Sequence, residues 1–386
     1  MFMNIKPKWY IGIIALIFTI AFFIFGAVSL QLELGMWGLA ITELGILLIA
    51  LLPIFLFKWE PRDVMPIKKV SFKQILAIPL LFIATYIIVN TVSSAIMYLF
   101  PEYARLSSET ASFYATAPFV LSIIIMSIMP GVCEEVLHRG LIQHTLKDIK
   151  SPFAIMVIMA IVFGFFHLDI YRFLPTAIIG FVLTYIMIKT DNFLLPVIFH
   201  AVNNAVSVAL SYGTGENEIA SIPITTVGVF LVLSALSPLL FYMGAKLLSK
   251  EKLGMRSKYA TIAVTLILSV TGIVILAFSL TRAPIIDFSF TEEVNNETPP
   301  KIFGSIIIDN EGIYDLSVSI SDETITVITT VRVEHEDGEI VWEIGGADLL
   351  SNKPTTLRIG VYNVIFTFET TSEQKIPVDI SFSIKV

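Results

Sequence analysis

Cysteine and charge are both scarce in this chain. The single cysteine, Cys133, cannot form an intrachain disulfide, which excludes a small scaffold held together by disulfides. Charged residues make up 15% of the 386 residues, whereas apolar residues make up 55% and include 29 phenylalanines. Soluble domains carry about a quarter charged residues. The composition therefore excludes a soluble globular protein and predicts a polytopic membrane protein.

Apolar runs of about 20 residues, the length that crosses a bilayer, recur along the first three quarters of the chain. We expect nine membrane helices, at approximately residues 9–30, 36–57, 74–100, 117–145, 152–168, 173–190, 192–212, 224–248 and 260–281. The fifth and sixth runs are short and closely spaced. The first run is longer than a typical secretory signal core, so we expect a retained helix in preference to a cleaved signal.

The basic residues indicate an orientation, because cytoplasmic loops collect Lys and Arg. With the N-terminus inside, the opposite loops hold only Arg105 and Arg172. The cytoplasmic segments then hold Lys6, Lys8, Lys58, Arg62, Lys68, Lys69, Lys73, Lys147, Lys150, Lys189, Lys246, Lys250, Lys252, Arg256 and Lys258. The sequence thus predicts a multi-pass protein with a cytoplasmic N-terminus and an extracytoplasmic C-terminal domain.

Negative charge is concentrated in residues 285–386, which hold 18 Asp and Glu against 6 Lys and Arg, so this segment carries −12 and the remainder +5. Apolar and polar residues alternate within it, which predicts six to eight strands and an antiparallel sandwich. The clearest strands are Ile313–Ile320, Thr324–Val333, Glu339–Ile344, Thr356–Gly360, Tyr362–Thr370 and Ile376–Val386, and Asn295–Pro300 is a linker or first turn. We expect His335 to be an exposed hairpin tip and not a metal ligand.

The expected fold is therefore an all-α polytopic membrane bundle followed by a C-terminal all-β, sandwich-like domain. We divide the chain into N-terminal membrane helices (1–72), a core that carries the polar motifs (73–215), C-terminal membrane helices (216–284) and an extracytoplasmic β domain (285–386).

Charge inside the fourth apolar run needs an explanation, because an ionised group in the bilayer core costs about 3 kcal/mol even on lenient scales. Glu134 and Glu135 are adjacent there and follow Pro130-Gly131, which weakens the helix locally. Arg139 lies four residues after Glu135, on the same helical face, while Glu134 points about 100° away. We expect the arginine to neutralise one carboxylate and to leave the other free to act.

Two later runs each supply a histidine. His167 ends the motif Phe163-Gly164-Phe165-Phe166-His167, and His200 begins His200-Ala201-Val202-Asn203-Asn204. His200 and Asn204 are four apart, so an imidazole and an amide project from one helical face. Rise per residue places Glu134, His167 and His200 within the same middle layer of the bilayer. Carboxylate and imidazole groups in one buried layer favour hydrolysis inside the membrane.

These three motifs, Glu-Glu-x-x-x-Arg at Glu134 to Arg139, Phe-x-x-x-His at Phe163 and His167, and His-x-x-x-Asn at His200 and Asn204, resemble the signature of the CPBP intramembrane proteases. That group contains the type II CAAX prenyl endopeptidases and bacteriocin-processing or immunity (Abi-like) proteins. The resemblance spans roughly residues 70–215 and implies an intramembrane endopeptidase. It covers neither the first two helices nor the C-terminal tail.

The resemblance implies roles that match what peptide hydrolysis requires, a base for water and donors for the oxyanion. Glu134 is the candidate base, with His167 holding the same water, and His200 and Asn204 are the candidate oxyanion donors. Glu135, Arg139 and Phe163 are expected to support the site or to bind substrate. No cofactor is required on this mechanism. The alternative is a divalent metal such as zinc, for which Glu134, His167 and His200 would be the ligands.

Two other functions stay open from the residues alone: a non-catalytic scaffold or immunity protein, and an ion-coupled transporter, for which the sequence shows no internal repeat. The expected partners are a peptide or membrane-protein substrate, the lipid bilayer and a candidate ligand of the acidic β domain on the exterior. Basic clusters follow from orientation and anionic lipid, so no nucleic acid is expected.

Overall fold

The computed structural model describes residues 6–115, 117–214, 222, 224–249, 254–281, 284–308, 312–321, 327–345, 353–370 and 373–385. It divides into two compact units, Met1–Leu276 and Ala277–Val386. The first unit is helical and the second is built from β-sheets, as the sequence predicts. The expected boundary at residues 215 and 216, and the residues Lys250 and Lys252, lie outside the described part of the chain.

Ten helices organise the first unit. They are α1 (Trp9–Leu34), α2 (Met36–Leu56), α3 (Phe72–Leu99), α4 (Pro101–Ala115), α5 (Phe119–Thr145), α6 (Pro152–Phe166), α7 (Phe173–Thr190), α8 (Leu194–Thr214), α9 (Ile224–Leu248) and α10 (Met255–Thr281). A single helical turn, Pro61–Val64, precedes α3. Ser71 and Gln74 form a capping box that fixes the first turn of α3.

Eight of these helices, within the residues described, are long and apolar enough to cross a membrane, and they make the chain an integral, multi-pass membrane protein. The sequence predicts nine membrane helices, and the fifth of them is the one that is too short to be counted here. That run forms α6, an apolar helix of 15 residues, which spans only about 22 Å at 1.5 Å per residue against a hydrocarbon core of about 30 Å.

Contacts between loops show that both ends of the α6–α7 hairpin lie at one end of the unit. Lys8 before α1 pairs with Asp148 before α6 at 3.2 Å. Lys68 before α3 pairs with Asp191 after α7, and the Asn192 side-chain amide donates to the Lys68 carbonyl at 2.9 Å. The hairpin thus returns to the end from which it starts. Whether α6 crosses fully changes the number of spans but not the side on which later segments emerge.

Helix α4 is a structural element that the search for long apolar runs could not find. It is amphipathic and carries polar residues throughout. Tyr103 and Ala104 are buried, and the Tyr103 ring stacks on Tyr171 in the α6–α7 connection with centroids 5.6 Å apart. Its apolar face therefore packs on the bundle although the helix is too polar to be a span.

The described residues of the second unit form eight strands in two four-stranded sheets. The strands are β1 (Pro284–Val294), β2 (Lys301–Ile308), β3 (Gly312–Ser321), β4 (Val327–His335), β5 (Ile340–Gly345), β6 (Lys353–Leu357), β7 (Gly360–Thr370) and β8 (Ile376–Lys385). One sheet has the order β1-β8-β3-β6 and the other β2-β7-β4-β5. Every strand pair in the described residues is antiparallel. Alternate residues such as Tyr362, Val364, Phe366 and Phe368 of β7 form the core, as period-2 alternation requires.

The predicted strands of this unit are shifted at some ends. The run Thr356–Gly360 is in fact the strand Lys353–Leu357, and residues 324–326 and 386 lie outside the described part. Asn295–Pro300 is the turn between β1 and β2, closed by a bond from the Thr298 N–H to the Asn295 carbonyl at 3.1 Å.

The expectation that His335 is an exposed hairpin tip is wrong. His335 is the last residue of β4, only 7% exposed, and its ring packs edge-on against Tyr362 at 4.9 Å. The Tyr362 hydroxyl accepts from the Arg358 N–H and donates to the Arg358 carbonyl, each at 2.9 Å. This is a tyrosine corner, a device that fixes the connection into a strand of a sandwich. His335 is buried because this corner covers it.

Candidate active site

Helix α5, which carries the acidic pair, is irregular where its polar residues lie. Segments Ile124–Ile128 and Val136–Ile142 are π-helical, and the α-helical segment Met129–Glu135 lies between them. Glu134 and Glu135 are the last two residues of that segment. π-Helical turns are rare and occur mostly at functional sites. Pro130 contributes to the irregularity, because its ring removes a backbone donor inside the helix.

Glu135 and Arg139 form an ion pair that is completely enclosed. Arg139 Nη1 donates to Glu135 Oε1 at 2.8 Å, and both side chains have no exposed surface. Arg139 Nη2 donates to the Gly180 carbonyl of α7, also at 2.8 Å. Buried ions are tolerated only when their partners and hydrogen bonds offset desolvation. The pair therefore ties α5 to α7 in the bundle interior.

His200 of α8 lies between the two glutamates. Its Nδ1 is 2.9 Å from Glu135 Oε1, the oxygen that also accepts from Arg139. Since the ionised carboxylate can only accept, the His200 Nδ1–H is the donor. The ring's other nitrogen, Nε2, lies 4.0 Å from Glu134 Oε2. His200 is thus held by one glutamate and directed at the other.

Phe163 is the centre around which the charged and imidazole groups pack. It is 1% exposed, and its ring centroid lies 4.9 Å from His138, 5.0 Å from His167 and 5.6 Å from His200. The Arg139 guanidinium carbon sits 4.8 Å above the same ring, a cation–π contact. Phe163 is thus an enclosed ring on which the arginine and the imidazoles pack.

His167 and His138 share one local arrangement. His167 Nδ1 lies 2.8 Å from the Phe163 carbonyl, and His138 Nδ1 lies 2.7 Å from the Glu134 carbonyl, each four residues back along the chain. Because a carbonyl only accepts, Nδ1 carries the proton in both rings. Nε2 of His167 is therefore an acceptor in the neutral ring, and His167 is only partly buried. His138 is fully buried and braces the backbone of Glu134.

Asn204 shares a face of α8 with His200, one turn further along. Its side-chain oxygen accepts from the Asn203 amide at 3.2 Å, and the residue is partly buried. Asn204 is therefore linked only to its neighbour by the contacts described. The contacts above bring together a larger set: Glu134, Glu135, His138, Arg139, Phe163, His167 and His200.

Two residues of this region were not found from the sequence. Gly180 supplies the carbonyl for Arg139 and also lets Phe163 approach α7, since a Cβ at Gly180 would lie 2.7 Å from the Phe163 Cβ. Glu43 of α2 is buried, 8% exposed, and interacts electrostatically with Glu134. An acid inside the apolar run 36–57 was the signal that could have identified Glu43.

The described acidic and imidazole side chains of this region are not arranged as a set of metal ligands. Among the residues that the structure describes, no group of three or more His, Cys, Asp and Glu side chains is arranged to hold one. Nδ1 of His200 is engaged by Glu135 and Nδ1 of His167 by a carbonyl, so only Nε2 of each ring could bind a metal. The side chains proposed for zinc, Glu134, His167 and His200, do not converge as a three-ligand set.

Gly180→Ala tests the packing around Phe163. The added methyl group would meet the Phe163 Cβ and Cγ at 2.7 and 3.1 Å, so the ring or α7 must shift. Overpacking of this kind costs about 1–3 kcal/mol. We expect a lower melting temperature in detergent. Gly26→Ala in α1 is the matched control, because its Cβ would have no neighbour nearer than 3.4 Å, and equal melting temperatures for both variants would contradict the packing.

Comparison with known proteins gives one match. Residues 116–206 match the model of a family described as type II CAAX prenyl endopeptidase Rce1-like. This stretch is about a quarter of the chain and includes the acidic pair, His167, His200 and Asn204. No curated protein and no solved structure matches the chain. The segment that carries the site is therefore similar to the Rce1-like type II CAAX prenyl endopeptidases, a family consistent with the CPBP proteases, and it lies within a multi-pass membrane protein.

Proposed function

We propose that the protein is an intramembrane endopeptidase in which Glu134 activates water for attack on a peptide bond. The observation that carries this proposal is the pair formed by Glu134 Oε2 and His200 Nε2, which face each other at 4.0 Å in the bundle interior. That separation is too long for a direct hydrogen bond and suits a bridging water molecule. A carboxylate and an imidazole placed on one water are the groups that general-base hydrolysis requires.

Glu134 is the acid that is free to act. Glu135 binds Arg139 and His200 through its Oε1 atom. Glu134 Oε2, in contrast, is buried and has no hydrogen-bond partner among the described residues. A buried, unpaired oxygen next to a polar group is costly unless it binds something during function. Glu134 Oε2 is therefore the atom that we propose accepts the proton from water.

His200 is the proposed oxyanion donor. Its Nδ1–H donates to Glu135, so only Nε2 can contact the substrate. Nε2 is a hydrogen-bond donor when the ring is an imidazolium. The carboxylates of Glu134 and Glu135 and the cation Arg139 leave one negative charge in the cluster, which an imidazolium at His200 balances. Asn204, one turn away, is the proposed second donor.

The proposed reaction consumes one water. Glu134 takes a proton from water while the oxygen attacks the carbonyl carbon, and the carbonyl π electrons move onto oxygen. His200 and Asn204 donate hydrogen bonds to that oxyanion. When the tetrahedral intermediate collapses, the C–N bond breaks and Glu134 returns its proton to the leaving nitrogen. The Nε2 lone pair of His167 accepts a hydrogen bond from the water and orients it.

This mechanism is derived without a metal, because the proposed ligands do not form a three-ligand set. The substrate proposed is a peptide or a membrane-associated protein. Prenylated CAAX proteins are the substrates that the description of the matched family names. The acidic β domain, whose strands hold few basic residues, is proposed to bind a separate ligand on the exterior.

Glu134→Gln tests the proposed base. The amide cannot take a proton, and loss of a general base costs about 100-fold or more in rate. We expect cleavage of a peptide library by the detergent-purified protein to fall by at least that factor, while the variant still unfolds in a single cooperative melting transition. Glu60→Gln, an exposed glutamate outside the bundle interior, is the control.

Unchanged cleavage by Glu134→Gln would discard the base. No cleavage by the wild type would favour the scaffold or transporter alternatives. Loss of activity on chelation with recovery on added zinc would favour the metal mechanism.

We further propose a cytoplasmic N-terminus and an extracytoplasmic C-terminal domain. The bias of basic residues supports this orientation, and the Lys8–Asp148 and Lys68–Asp191 pairs gather those basic loops at one end of the first unit.

Cysteine labelling tests the orientation. Cys133 is the chain's single cysteine and is buried, so Cys133→Ser gives a cysteine-free background. In intact cells, a membrane-impermeant maleimide should label Asn296→Cys, an exposed turn residue. It should label Lys150→Cys, an exposed loop residue, only after the cells are permeabilised. The reverse pattern would overturn the orientation.

A further inference from the structure

Helix α2 carries a carboxyl group on the face that it buries. Met36, Ala40, Ile46 and Ala50 of this helix are buried apolar residues, spaced four, six and four residues apart, which places them near one helix face. Glu43 falls on the same face and is 8% exposed. An acid at such a position is expensive in a membrane protein and marks a functional site by default.

Packing on either side of Glu43 fixes its level along α5. Met36 and Ala40, before Glu43, belong to one cluster with Ile125 of α5. Ile46 and Ala50, after Glu43, belong to another cluster, which contains Val136, Leu137 and Leu141 of α5. The two helices therefore run in the same direction. Glu43 falls level with the α5 residues between these clusters, the stretch that contains Glu134.

The electrostatics of the buried polar groups agree with this level. Glu43 interacts electrostatically with Glu134 and with the adjacent Cys133. Its Oε2 is buried and, like Glu134 Oε2, has no hydrogen-bond partner among the described residues. Two orphaned carboxyl oxygens from different helices thus lie in one enclosed region.

Charge balance limits the protonation states that Glu43 and Glu134 can adopt together. The one guanidinium of the cluster, Arg139, is bound to Glu135 and the Gly180 carbonyl. The imidazolium proposed at His200 balances the charge of Glu134, so a second carboxylate beside Glu134 would have no cation, and such a pair keeps a proton in a low-dielectric interior. Since Glu134 must be ionised to accept a proton from water, the proton belongs to Glu43.

We propose, on the basis of the function proposed above, that Glu43 is a positioning residue for hydrolysis, whose neutral carboxyl group donates a hydrogen bond to Glu134 and fixes the direction of its carboxylate. Glu43 keeps its proton throughout and does not touch the substrate. Its contribution is to hold the base within reach of the water.

The substitutions Glu43→Gln and Glu43→Leu separate this role from simple space filling. Glutamine is a neutral donor of the same shape, so Glu43→Gln should retain kcat and KM within a factor of about two. Leucine fills the space without a donor. A base displaced by about 1 Å costs about 100-fold in rate, so Glu43→Leu should lower kcat by roughly 10- to 100-fold while KM stays unchanged. A role in packing alone predicts full activity for the apolar variant.

A double-mutant cycle tests the contact without any cleavage assay. Melting temperatures in detergent are compared for Glu43→Leu, Glu134→Gln and the double variant. Side chains in contact give non-additive effects, whereas distant ones add. We expect the shift of the double variant to differ from the sum of the single shifts.

The outcomes distinguish this inference from the proposed function. An additive cycle, or full kcat in Glu43→Leu, would overturn the role of Glu43 and leave Glu134 as the base. Loss of activity in Glu43→Gln equal to that in Glu43→Leu would also overturn it, because a neutral donor would then be insufficient. Wild-type activity in Glu134→Gln would end the proposed function, while the cycle would still report on the carboxyl pair.

Discussion

The enclosed ion pair between Glu135 and Arg139 is the interaction on which the rest of the site depends. Its two charges have no exposed surface, so each must find its hydrogen bonds inside the bundle. Arg139 finds the Gly180 carbonyl on α7, and Glu135 finds the imidazole of His200 on α8. One charge pair on α5 thereby sets the positions of two other helices, and the direction of His200 follows from it.

Irregular helix geometry and aromatic packing complete this arrangement. The π-helical segment after Glu135 changes the register of α5, and the His138 side chain satisfies the Glu134 carbonyl there. Phe163 fills the space between the arginine and the imidazoles. Glu134 is left with an oxygen that no described group satisfies. The packing of these side chains thus offsets the cost of the irregular backbone hydrogen bonds in α5. Strained backbone persists at functional sites only when the surrounding structure stabilises it in this way.

Spacing along a helix is the part of the site that the sequence predicts well. Residues four apart share a face, and this rule alone gives the contact between Glu135 and Arg139. Contacts between helices are harder, because depth in the bilayer fixes a layer but not the rotation of each helix. The sequence therefore predicts His200 as an oxyanion donor or a metal ligand, whereas its bond to Glu135 follows from how the helices pack. The proximity of Glu43 to Glu134 was missed for the same reason.

The fold shows the same division. Long apolar runs and strict alternation predict the membrane helices and the β unit. The amphipathic helix α4 and the strands β1 and β2 were harder, because no long apolar run marks them, and the ends of α6 were found although its length is too short for a full span. His335 was misplaced because its sequence neighbours are acidic, while the Tyr362 corner that buries it comes from a distant strand. Tertiary contacts decided each of these cases.

The most direct test of the central ion pair is the melting temperature in detergent of Arg139→Met compared with that of Arg139→Met combined with Glu135→Leu. Removing one partner of a buried pair costs about 3–5 kcal/mol, whereas replacing both with apolar groups is often neutral. We expect a large loss of stability in the single variant and recovery of most of it in the double variant. A single variant as stable as the wild type would contradict this expectation.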